Sequence, residues 1–484
     1  MALGAVDYGL MGVVGGLTAF ISFFNNLLSV GVGRFYAISV GKASVKGLEL
    51  EGVEDCRRWF STAVLLHTCA AVGLMAVGYP IGSWAVKNFL TIPLDRVNDC
   101  LWVFRFVCVS CFLGMITVPI NAMYGAKQYI AELTIYSFIT TTLNAFFLYH
   151  MITHPGVWLK MYAFWSCLLS VLPQLVITIR GYSIFKECRF RRKYAISRER
   201  LNALVYYCGW TALGMGGSML RGQGIQVLVN KYFGPCLNAS MAIANNVNGH
   251  TTTLSGALLG AFSPAITNAF GAGDLERMRR LSYRACKFSV LLIMLFVIPL
   301  CLELQEVLHL WLGNPPPYIY GLCLVMFLMT IIDQSCVGHM LAVNARGKIA
   351  KYQMFLGTSL LLTLPVAWMF CACGGSVYWV AVAMLLMMML CSVGRVWFAR
   401  SLVGMSAYYW LVRIAVPSVI VGAISMLIGY LPQLFFAPSW GRILLTGIIC
   451  ECAFVPLSLF VVLDPAERDY LFARVPLLKK KRAC

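Results

Sequence analysis

Long apolar runs recur along the chain about every thirty residues, and they restrict its fold more than any other feature. Each run covers about 20 to 28 residues, which at ~1.5 Å per residue spans the roughly 30 Å hydrocarbon core of a bilayer. The predicted fold class is therefore an all-α polytopic membrane protein. We predict thirteen transmembrane helices, near residues 10–37, 59–86, 100–124, 129–151, 157–179, 204–230, 239–266, 288–313, 318–344, 352–373, 377–398, 407–430 and 441–463.

The basic residues follow the predicted loops. The chain has 38 Lys and Arg against 19 Asp and Glu, a net charge of +19, which in a soluble protein would suggest nucleic acid as a partner. With the amino terminus placed outside, 30 basic residues fall on inside segments, 5 on outside segments and 3 within helices. This division obeys the positive-inside rule. We therefore predict a periplasmic amino terminus, a cytoplasmic carboxyl terminus and no nucleic-acid partner.

The sequence does not predict catalysis or metal binding. The 19 cysteines are scattered, mostly inside apolar runs, where they are interpreted as small apolar residues rather than as a disulfide framework or a metal site. A nucleotide-binding glycine loop and zinc-ligand spacing are both missing. A glycosyltransferase or ligase of the membrane would normally need a sizeable outer loop, and the outside segments are short. We predict no catalytic residues, no metal and no cofactor.

One segment of the chain is repeated at an offset of 230 residues. Gly4 aligns with Gly234 and Gly41 with Gly271, so that two glycines 37 residues apart bracket an apolar span in both copies. The repeated helices enter the membrane in the same direction, which predicts two lobes related by an axis along the membrane normal. The predicted domains are an amino-terminal lobe, a basic cytoplasmic connector, a carboxyl-terminal lobe, and two extra helices with a basic tail, at residues 1–180, 181–203, 204–400 and 401–484. Helix 204–230 has no counterpart after Met1, so we expect the first lobe to lack its first helix.

Small and polar residues form one stripe on each repeated helix. Close packing between helices is one explanation, because helix contacts in lipid depend on small residues. The other is that the two stripes face each other across a central cavity, since carboxamides are costly against acyl chains without partners. The stripe residues are Gly12, Gly16, Ala19, Ser22, Asn26, Ser29 and Gly33 in the first copy, and Asn245, Gly249, Thr252, Gly256, Gly260 and Ser263 in the second.

Several charged residues lie within predicted spans. Arg221 is about 13 Å from the outer end of its helix and Arg105 about 8 Å, and an arginine at such depth indicates a protein cavity, an ion partner or an anionic ligand. The alternatives are snorkelling to the outer interface for Arg105 and pairing with a carboxylate such as Asp333 for Arg221. Asp333 and Glu451 are candidates to carry a coupling proton or sodium ion, although Asp333 is equally compatible with neutralising an arginine. Arg34, at the inner end of its helix, is compatible with an ordinary positive-inside anchor.

Three parts of the sequence carry a family resemblance. They are LGAVDYGLMGVVGG with GRFYAISVGK, QGIQVLVNKYFGPCLNASMAIANNVNG with SPAITNAFGAGD, and WLGNPP with Pro299 and Glu303 before it. These stretches resemble the Wzx-type polysaccharide and lipopolysaccharide flippases of the MOP superfamily, which are related to lipid II flippases and MATE transporters. The family has one helix more than the thirteen predicted here, and the missing one is the first.

The resemblance implies a transporter that moves an undecaprenyl-diphosphate-linked oligosaccharide, an O-antigen or exopolysaccharide unit, across the bacterial inner membrane. It implies membrane lipids as surroundings and polysaccharide polymerase and assembly proteins as possible partners. Arginine suits a diphosphate because its planar fork makes charge-assisted hydrogen bonds. On this hypothesis Arg221, Arg105 and Arg34 attract the diphosphate, and the residues that meet sugar hydroxyls are Asn26, Gln223, Asn245 and Asn246.

Two alternatives remain open. A MATE-type multidrug or cation antiporter of the same fold would have an anionic, aromatic cavity, and the deep arginines argue against it. A non-transporting remnant that only assembles with other exopolysaccharide proteins is compatible with the loss of a helix.

Overall fold

The computed structural model describes residues 4–89, 97–154 and 159–474 of the 484-residue chain. Every described element is helical, which confirms the predicted fold class. Short π-helical turns follow α2, α14 and α17. The helices are α1 Gly4–Ala43, α2 Glu49–Trp84, α3 Val97–Ala126, α4 Ile130–Thr153, α5 Leu159–Ile184, α6 Arg192–Ala195, α7 Arg198–Gly271, α8 Leu275–Leu302, α9 Leu304–Leu312, α10 Ile319–Ser335, α11 Val337–Arg346, α12 Ala350–Ala372, α13 Val377–Val403, α14 Ala407–Trp410, α15 Val416–Gly429, α16 Leu431–Phe435, α17 Trp440–Leu457 and α18 Pro465–Arg474.

Fewer of the described helices pass a test of length and hydropathy than the thirteen spans that the sequence predicts. Among the described residues, eight helices are long and apolar enough to cross a membrane, and a ninth is added when α10 and α11, bent by 45°, count as one span. The predicted count of thirteen is therefore not confirmed. The chain is nonetheless a multi-pass membrane protein.

Gly234 divides the longest helix where the sequence predicts a boundary between two spans. α7 runs for 74 residues, but Gly234 has φ 80° and ψ 178°, which interrupts the helical path. A side chain at this positive φ would be strained, so glycine is the residue that allows the chain to change direction here. α7 thus contains two helices, which correspond to the predicted spans 204–230 and 239–266.

Serine side chains cap the starts of several helices. Ser197 precedes α7 and accepts a hydrogen bond from the backbone N–H of Arg200, and Ser439 does the same for Arg442 at the start of α17. Such caps satisfy a backbone donor that has no partner within the helix. They fix the two points at which the chain enters these helices.

The described chain divides into two compact units. Unit 1 comprises residues 1–211 and 267–274, and unit 2 comprises residues 212–266 and 275–484. In unit 1, Tyr36, Phe60 and Tyr124 join α1, α2 and α3 in one buried core. In unit 2, the main core includes Ile293 of α8 and Phe327 of α10. The domain boundaries predicted from the sequence stay a prediction.

The two repeated glycines, Gly41 and Gly271, lie in one reciprocal contact within unit 1. A Cβ atom on Gly41 would collide with the backbone oxygen of Asn268, and a Cβ atom on Gly271 would collide with that of Ile38. Ile38 and Asn268 are themselves separated by 230 positions, the offset of the repeat. The contact therefore has the pattern of a twofold interface, in which each partner presents the same patch to the other. Glycine is needed at both positions because the two backbones touch.

Glu303 joins the break between α8 and α9 to α17. It is buried, and its Oε2 accepts hydrogen bonds from Nη2 of Arg442 at 2.8 Å and from Nε at 3.2 Å. Its Oε1 accepts from the Thr446 hydroxyl at 2.8 Å. The glutamate that contributed to the family resemblance is thus part of an internal ion pair of unit 2.

A second buried ion pair joins α8 to the carboxyl-terminal helix α18. Nζ of Lys287 lies 2.8 Å from Glu467 and 3.0 Å from Asp464, and Arg284 lies 3.0 Å from Glu467. Lys287 and Glu467 are only 2% and 5% exposed. A charge buried to this extent is tolerated only with a close partner, so the pair fixes α18 against α8.

Candidate functional site

A polar pocket of about 410 Å³ lies inside unit 2. Four helices, α7, α10, α12 and α13, form its wall. Both parts of α7 contribute, one on each side of the Gly234 break. The lining residues are Ser218, Arg221, Asn245, Asn248, Thr252, Met326, Met329, Thr330, Asp333, Leu360, Met384, Met388 and Arg395.

Arg221 supplies a cation that has no hydrogen-bond partner among the residues that the structure describes. Its Nε and Nη1 are buried and make no hydrogen bond to any residue that the structure describes. Leaving such donors unpaired costs about 1–3 kcal/mol or more for a charged group, and buried charges normally have a partner. Because Arg221 lines the pocket, its guanidinium is placed to bind an anion that enters there.

Asp333 pairs with Arg395, whereas one reading of the sequence paired it with Arg221. Oδ1 of Asp333 lies 2.6 Å from Nη1 of Arg395, and Oδ2 accepts a hydrogen bond from Nε2 of Gln334 at 2.9 Å. Gln334 in turn accepts a hydrogen bond from the Ser255 hydroxyl. Asp333 lies in the last turn of α10, next to the 45° bend to α11. Its carboxylate is therefore occupied by internal partners.

Arg395 is the charged residue of the site that sequence reasoning missed. The positive-inside count took it as part of a cytoplasmic segment 395–400, which overlaps the end of the predicted span 377–398, whereas the structure buries it inside α13, which continues to Val403. Its distance from Asp333 in sequence is 62 residues, so only the three-dimensional fold joins them. The sequence offered one indication of this: Arg395 lies about one turn before residue 398, where the predicted span ends.

The pocket has a net formal charge of +1 from Arg221, Arg395 and Asp333. Neutral polar groups complete it: the Thr330 hydroxyl donates to Oδ1 of Asn248 at 2.7 Å, and Asn245, Ser218 and Thr252 also line the wall. Hydroxyl and carboxamide groups can donate and accept hydrogen bonds. The pocket can therefore bind an anionic group and neighbouring hydroxyls together.

None of the other residues of unit 2 that were predicted to bind the substrate or a coupling ion lines this pocket. Gln223 and Asn246 are exposed, and Glu451 is half-buried on α17. Glu451 makes no hydrogen bond or ion pair within the described chain. Of the residues predicted to bind the substrate or a coupling ion, Arg221, Asn245 and Asp333 line the pocket, and Thr252 of the predicted stripe lines it with them.

The three predicted residues of unit 1 lie at separate places. Arg105 is exposed and lies at an apolar hollow of about 630 Å³ whose wall includes Tyr79 and Phe112. Arg34 stacks its guanidinium over the rings of Phe35 and Tyr207, at 5.0 and 4.8 Å from the centroids. Such cation–π contacts stabilise a cation near aromatic rings.

Asn26 is exposed on α1. The part of the predicted stripe formed by Gly12, Gly16, Ala19 and Ser22 lies outside the residues whose side chains the structure describes. Whether the two stripes face a common cavity stays a prediction. Among the described residues, no three His, Cys, Asp or Glu side chains are grouped to hold a metal ion.

No protein-family model and no curated protein matches the chain. Solved structures do match its fold. MATE in the bent conformation superposes with a TM-score of 0.68 at 13% identity, covering 83% of this chain and 88% of that one. An outward-facing multidrug resistance MATE family transporter gives 0.64 at 15% identity, covering 83% and 89%.

A third similar structure is a MOP superfamily transporter from Pyrococcus furiosus. It gives a TM-score of 0.66 at 15% identity and covers 83% of this chain and 91% of that one. A reverse polarity of the binding pocket is reported to suggest a different function for that protein. At these identities the likeness establishes the fold. The chain therefore has the fold of the MATE transporters of the MOP superfamily.

Proposed function

We propose that this protein is a flippase that moves an undecaprenyl-diphosphate-linked oligosaccharide from the cytoplasmic to the periplasmic leaflet of the bacterial inner membrane. The observation that carries the proposal is Arg221, whose buried Nε and Nη1 have no hydrogen-bond partner among the described residues and border the polar pocket of unit 2. A diphosphate supplies the acceptors that this guanidinium lacks. The pairing is charge-assisted and often bidentate.

The rest of the pocket suits the sugar next to the diphosphate. Asn245, Ser218 and Thr252 offer both donors and acceptors, as sugar hydroxyls require. A volume of about 410 Å³ lies in the range of small-ligand sites, so it accommodates the head of the lipid and not a long glycan. The remaining sugars and the lipid chain would lie outside the pocket.

The charge of the pocket argues against the alternative, a MATE-type multidrug or cation antiporter. A cationic drug needs a free carboxylate, and Asp333 is already bound by Arg395 and Gln334. With two arginines and one aspartate, the pocket repels a cation. The antiporter remains the second candidate because one of the similar structures is a multidrug resistance transporter.

The transport cycle would follow the alternating access of other repeat transporters. Protons or sodium ions are the proposed coupling ions, and Asp333 and Glu451 are the candidate carriers. Glu451, half-buried and without an ion-pair partner in the described chain, could accept a proton directly. Polysaccharide polymerase and assembly proteins would act on the product.

The decisive experiment replaces Arg221 by alanine and by lysine. Affinity for undecaprenyl diphosphate is measured on purified protein by native mass spectrometry, and surface polysaccharide is measured in a complementation assay. A hydrogen bond to a charged group contributes about 1.5–3 kcal/mol, so Arg221→Ala should bind about 10 to 100 times more weakly. Arg221→Lys should recover part of the affinity, since it restores the charge but not the planar fork.

The matched control is Arg413→Ala, because Arg413 is an exposed arginine of the same unit that does not line the pocket. It should bind and complement like the parent protein. If Arg221→Ala is present in the membrane in the same amount as the parent protein and complements normally, the assignment of Arg221 is wrong. Efflux of a cationic dye by vesicles containing the parent protein would instead support the antiporter.

A further inference from the structure

A second concave site of unit 2 faces outward between α10, α13 and α14. It has a volume of about 360 Å³ and is mostly apolar. None of its residues lines the polar pocket. The lining residues are Ile332, Ser335, Met389, Ser392, Val393, Val396, Trp397, Arg400, Ala407 and Trp410. We call it the α13 groove.

The shape of the α13 groove follows one face of a helix. Six lining residues between Met389 and Arg400 recur at steps of three and four positions along α13, which places them in one row. Eleven residue steps at ~1.5 Å give the row a length of about 16 Å. Val393 and Trp397 in this row are 66% and 60% exposed. The groove is thus long, narrow and open along its side.

The two ends of the row differ chemically. Met389 begins it, and the guanidinium of Arg400, exposed in the last turn of α13, ends it. Arg400 makes no ion pair or side-chain hydrogen bond with any described residue. The indole of Trp397 lies just before it, and the indole of Trp410 borders the groove from α14, fixed by a 2.6 Å hydrogen bond to the carbonyl of Ser335. Tryptophan is typical of the interface level of a bilayer.

We infer that the α13 groove binds an anionic phospholipid, with one acyl chain along the α13 row and the phosphate at Arg400. An apolar row that ends in the guanidinium of Arg400, which has no side-chain partner in the described chain, complements a molecule with an apolar chain and an anionic head. The positive-inside distribution of the sequence puts Arg400 on the cytoplasmic side, where basic sites between helices recognise anionic lipid head groups.

This site is distinct from the proposed substrate pocket, but it uses the same two helices. Ser335 of α10 and Ser392 of α13 line the groove, whereas Asp333 and Arg395 of these helices line the pocket. A lipid in the groove would therefore contact the helices that hold the Asp333–Arg395 ion pair. The inference does not depend on which substrate the pocket transports.

The test uses quenching of Trp397 fluorescence by brominated lipid. The purified protein is reconstituted into zwitterionic vesicles that contain a small, equal fraction of either brominated phosphatidylglycerol or brominated phosphatidylcholine. Because the chain has 12 tryptophans, the signal of Trp397 is taken as the difference between the parent protein and Trp397→Phe. We expect the anionic lipid to be enriched about fivefold over the zwitterionic one, the effect of one basic residue near an anionic membrane surface.

Four variants separate the head-group and chain contacts. Arg400→Gln should abolish the preference for the anionic lipid, and Arg400→Lys, which keeps the charge, should retain it. Val393→Phe narrows the groove without changing its charge and should reduce quenching by both lipids. Arg413→Gln removes an exposed arginine outside the groove and should leave the preference unchanged.

Equal quenching by the two lipids in the parent protein would overturn the inference. So would an Arg413→Gln effect as large as that of Arg400→Gln, which would indicate general surface charge. Quenching that is unchanged in Val393→Phe would show that no acyl chain lies in the groove. Displacement of the brominated lipid by an equimolar amount of undecaprenyl diphosphate would assign the groove to the substrate instead.

Discussion

The replacement of Asp333 by asparagine should strongly destabilise the protein, although it changes only one atom of the side chain. The ion pair joins Oδ1 of Asp333 to Nη1 of Arg395 at 2.6 Å. At an effective dielectric constant of about 20, two unit charges at that distance attract by about 6 kcal/mol. Part of this offsets the desolvation of Arg395, whose side chain is 9% exposed. Without the aspartate, that desolvation has no compensation, and the loss of one partner of a buried pair costs about 3–5 kcal/mol.

The surrounding hydrogen bonds add to the cost. In the parent protein, Nε2 of Gln334 donates to Asp333. An asparagine at this position can keep its oxygen toward Arg395, but its NH₂ group then faces Nε2 of Gln334, and two donors oppose each other. If Gln334 turns its amide over, its Nε2 faces the buried Ser255 hydroxyl, which now donates to Gln334 and would have to accept instead. Either arrangement weakens one hydrogen bond of this chain, at about 1 kcal/mol. We expect a total loss of about 4–6 kcal/mol in the free energy of unfolding.

The free energy of unfolding is measured in mixed micelles by titration with a denaturing detergent. Glu276→Gln is the matched control, since Glu276 forms an ion pair with Arg280 that is exposed on both sides and should contribute less than about 1 kcal/mol. The double variant Asp333→Asn, Arg395→Gln should recover about 2 kcal/mol or more relative to the sum of the single changes. If Asp333→Asn costs no more than Glu276→Gln, or if the two changes are additive, the ion pair does not stabilise unit 2 as argued.

Three further predictions test other parts of the molecule. Gly41→Ala and Gly271→Ala should each lower the free energy of unfolding by about 1–3 kcal/mol, because the added methyl group collides with the backbone of the facing helix. Gly33→Ala is the control, since a methyl group there meets open space. Equal stability of the three variants in detergent unfolding would contradict the reciprocal contact. Lys287→Met leaves the buried Glu467 with Arg284 as its remaining charged partner among the described residues. It should cost about 3 kcal/mol in the free energy of unfolding and increase proteolysis within α18, whereas Arg280→Gln should do neither. Burial, and to a smaller extent the neighbouring Glu187 carboxylate, raises the pKa of the Cys188 thiol, so little thiolate is present at neutral pH. Maleimide should therefore leave Cys188 unmodified below about pH 9 while it labels the exposed Cys373. Rapid labelling of Cys188 would contradict this prediction.

The sequence was most informative where one residue type has one physical meaning. The repeat placed a boundary at Gly234, and the structure has a positive φ there that glycine alone adopts easily. The depth of Arg221 indicated a protein cavity, an ion partner or an anionic ligand, because a lone charge in lipid is too costly, and the structure places Arg221 at the wall of the polar pocket. Such inferences depend on local chemistry and chain spacing, both of which are visible without a fold.

The sequence was least informative about which side chains meet. Asp333 had several possible arginine partners, and the positive-inside count placed Arg395 outside the membrane because that count uses only distance from a predicted helix end. Glu303 and Arg442 are 139 positions apart, and no periodicity relates them. Asn246 adjoins Asn245 in sequence, yet only Asn245 lines the pocket, since neighbouring residues on a helix point about 100° apart.

The reciprocal contact of Gly41 and Gly271 has a consequence for how the two copies can diverge. In a symmetric dimer one substitution would change both halves of the reciprocal contact at once. In a single chain each half can change independently. Its two partner positions already differ, since Ile38 is apolar while the Asn268 amide donates to the carbonyl of Ala126 at 3.0 Å. The glycines themselves have no such freedom. A methyl group on either one forces apart the same two backbones, so no change at its counterpart 230 residues away restores the fit.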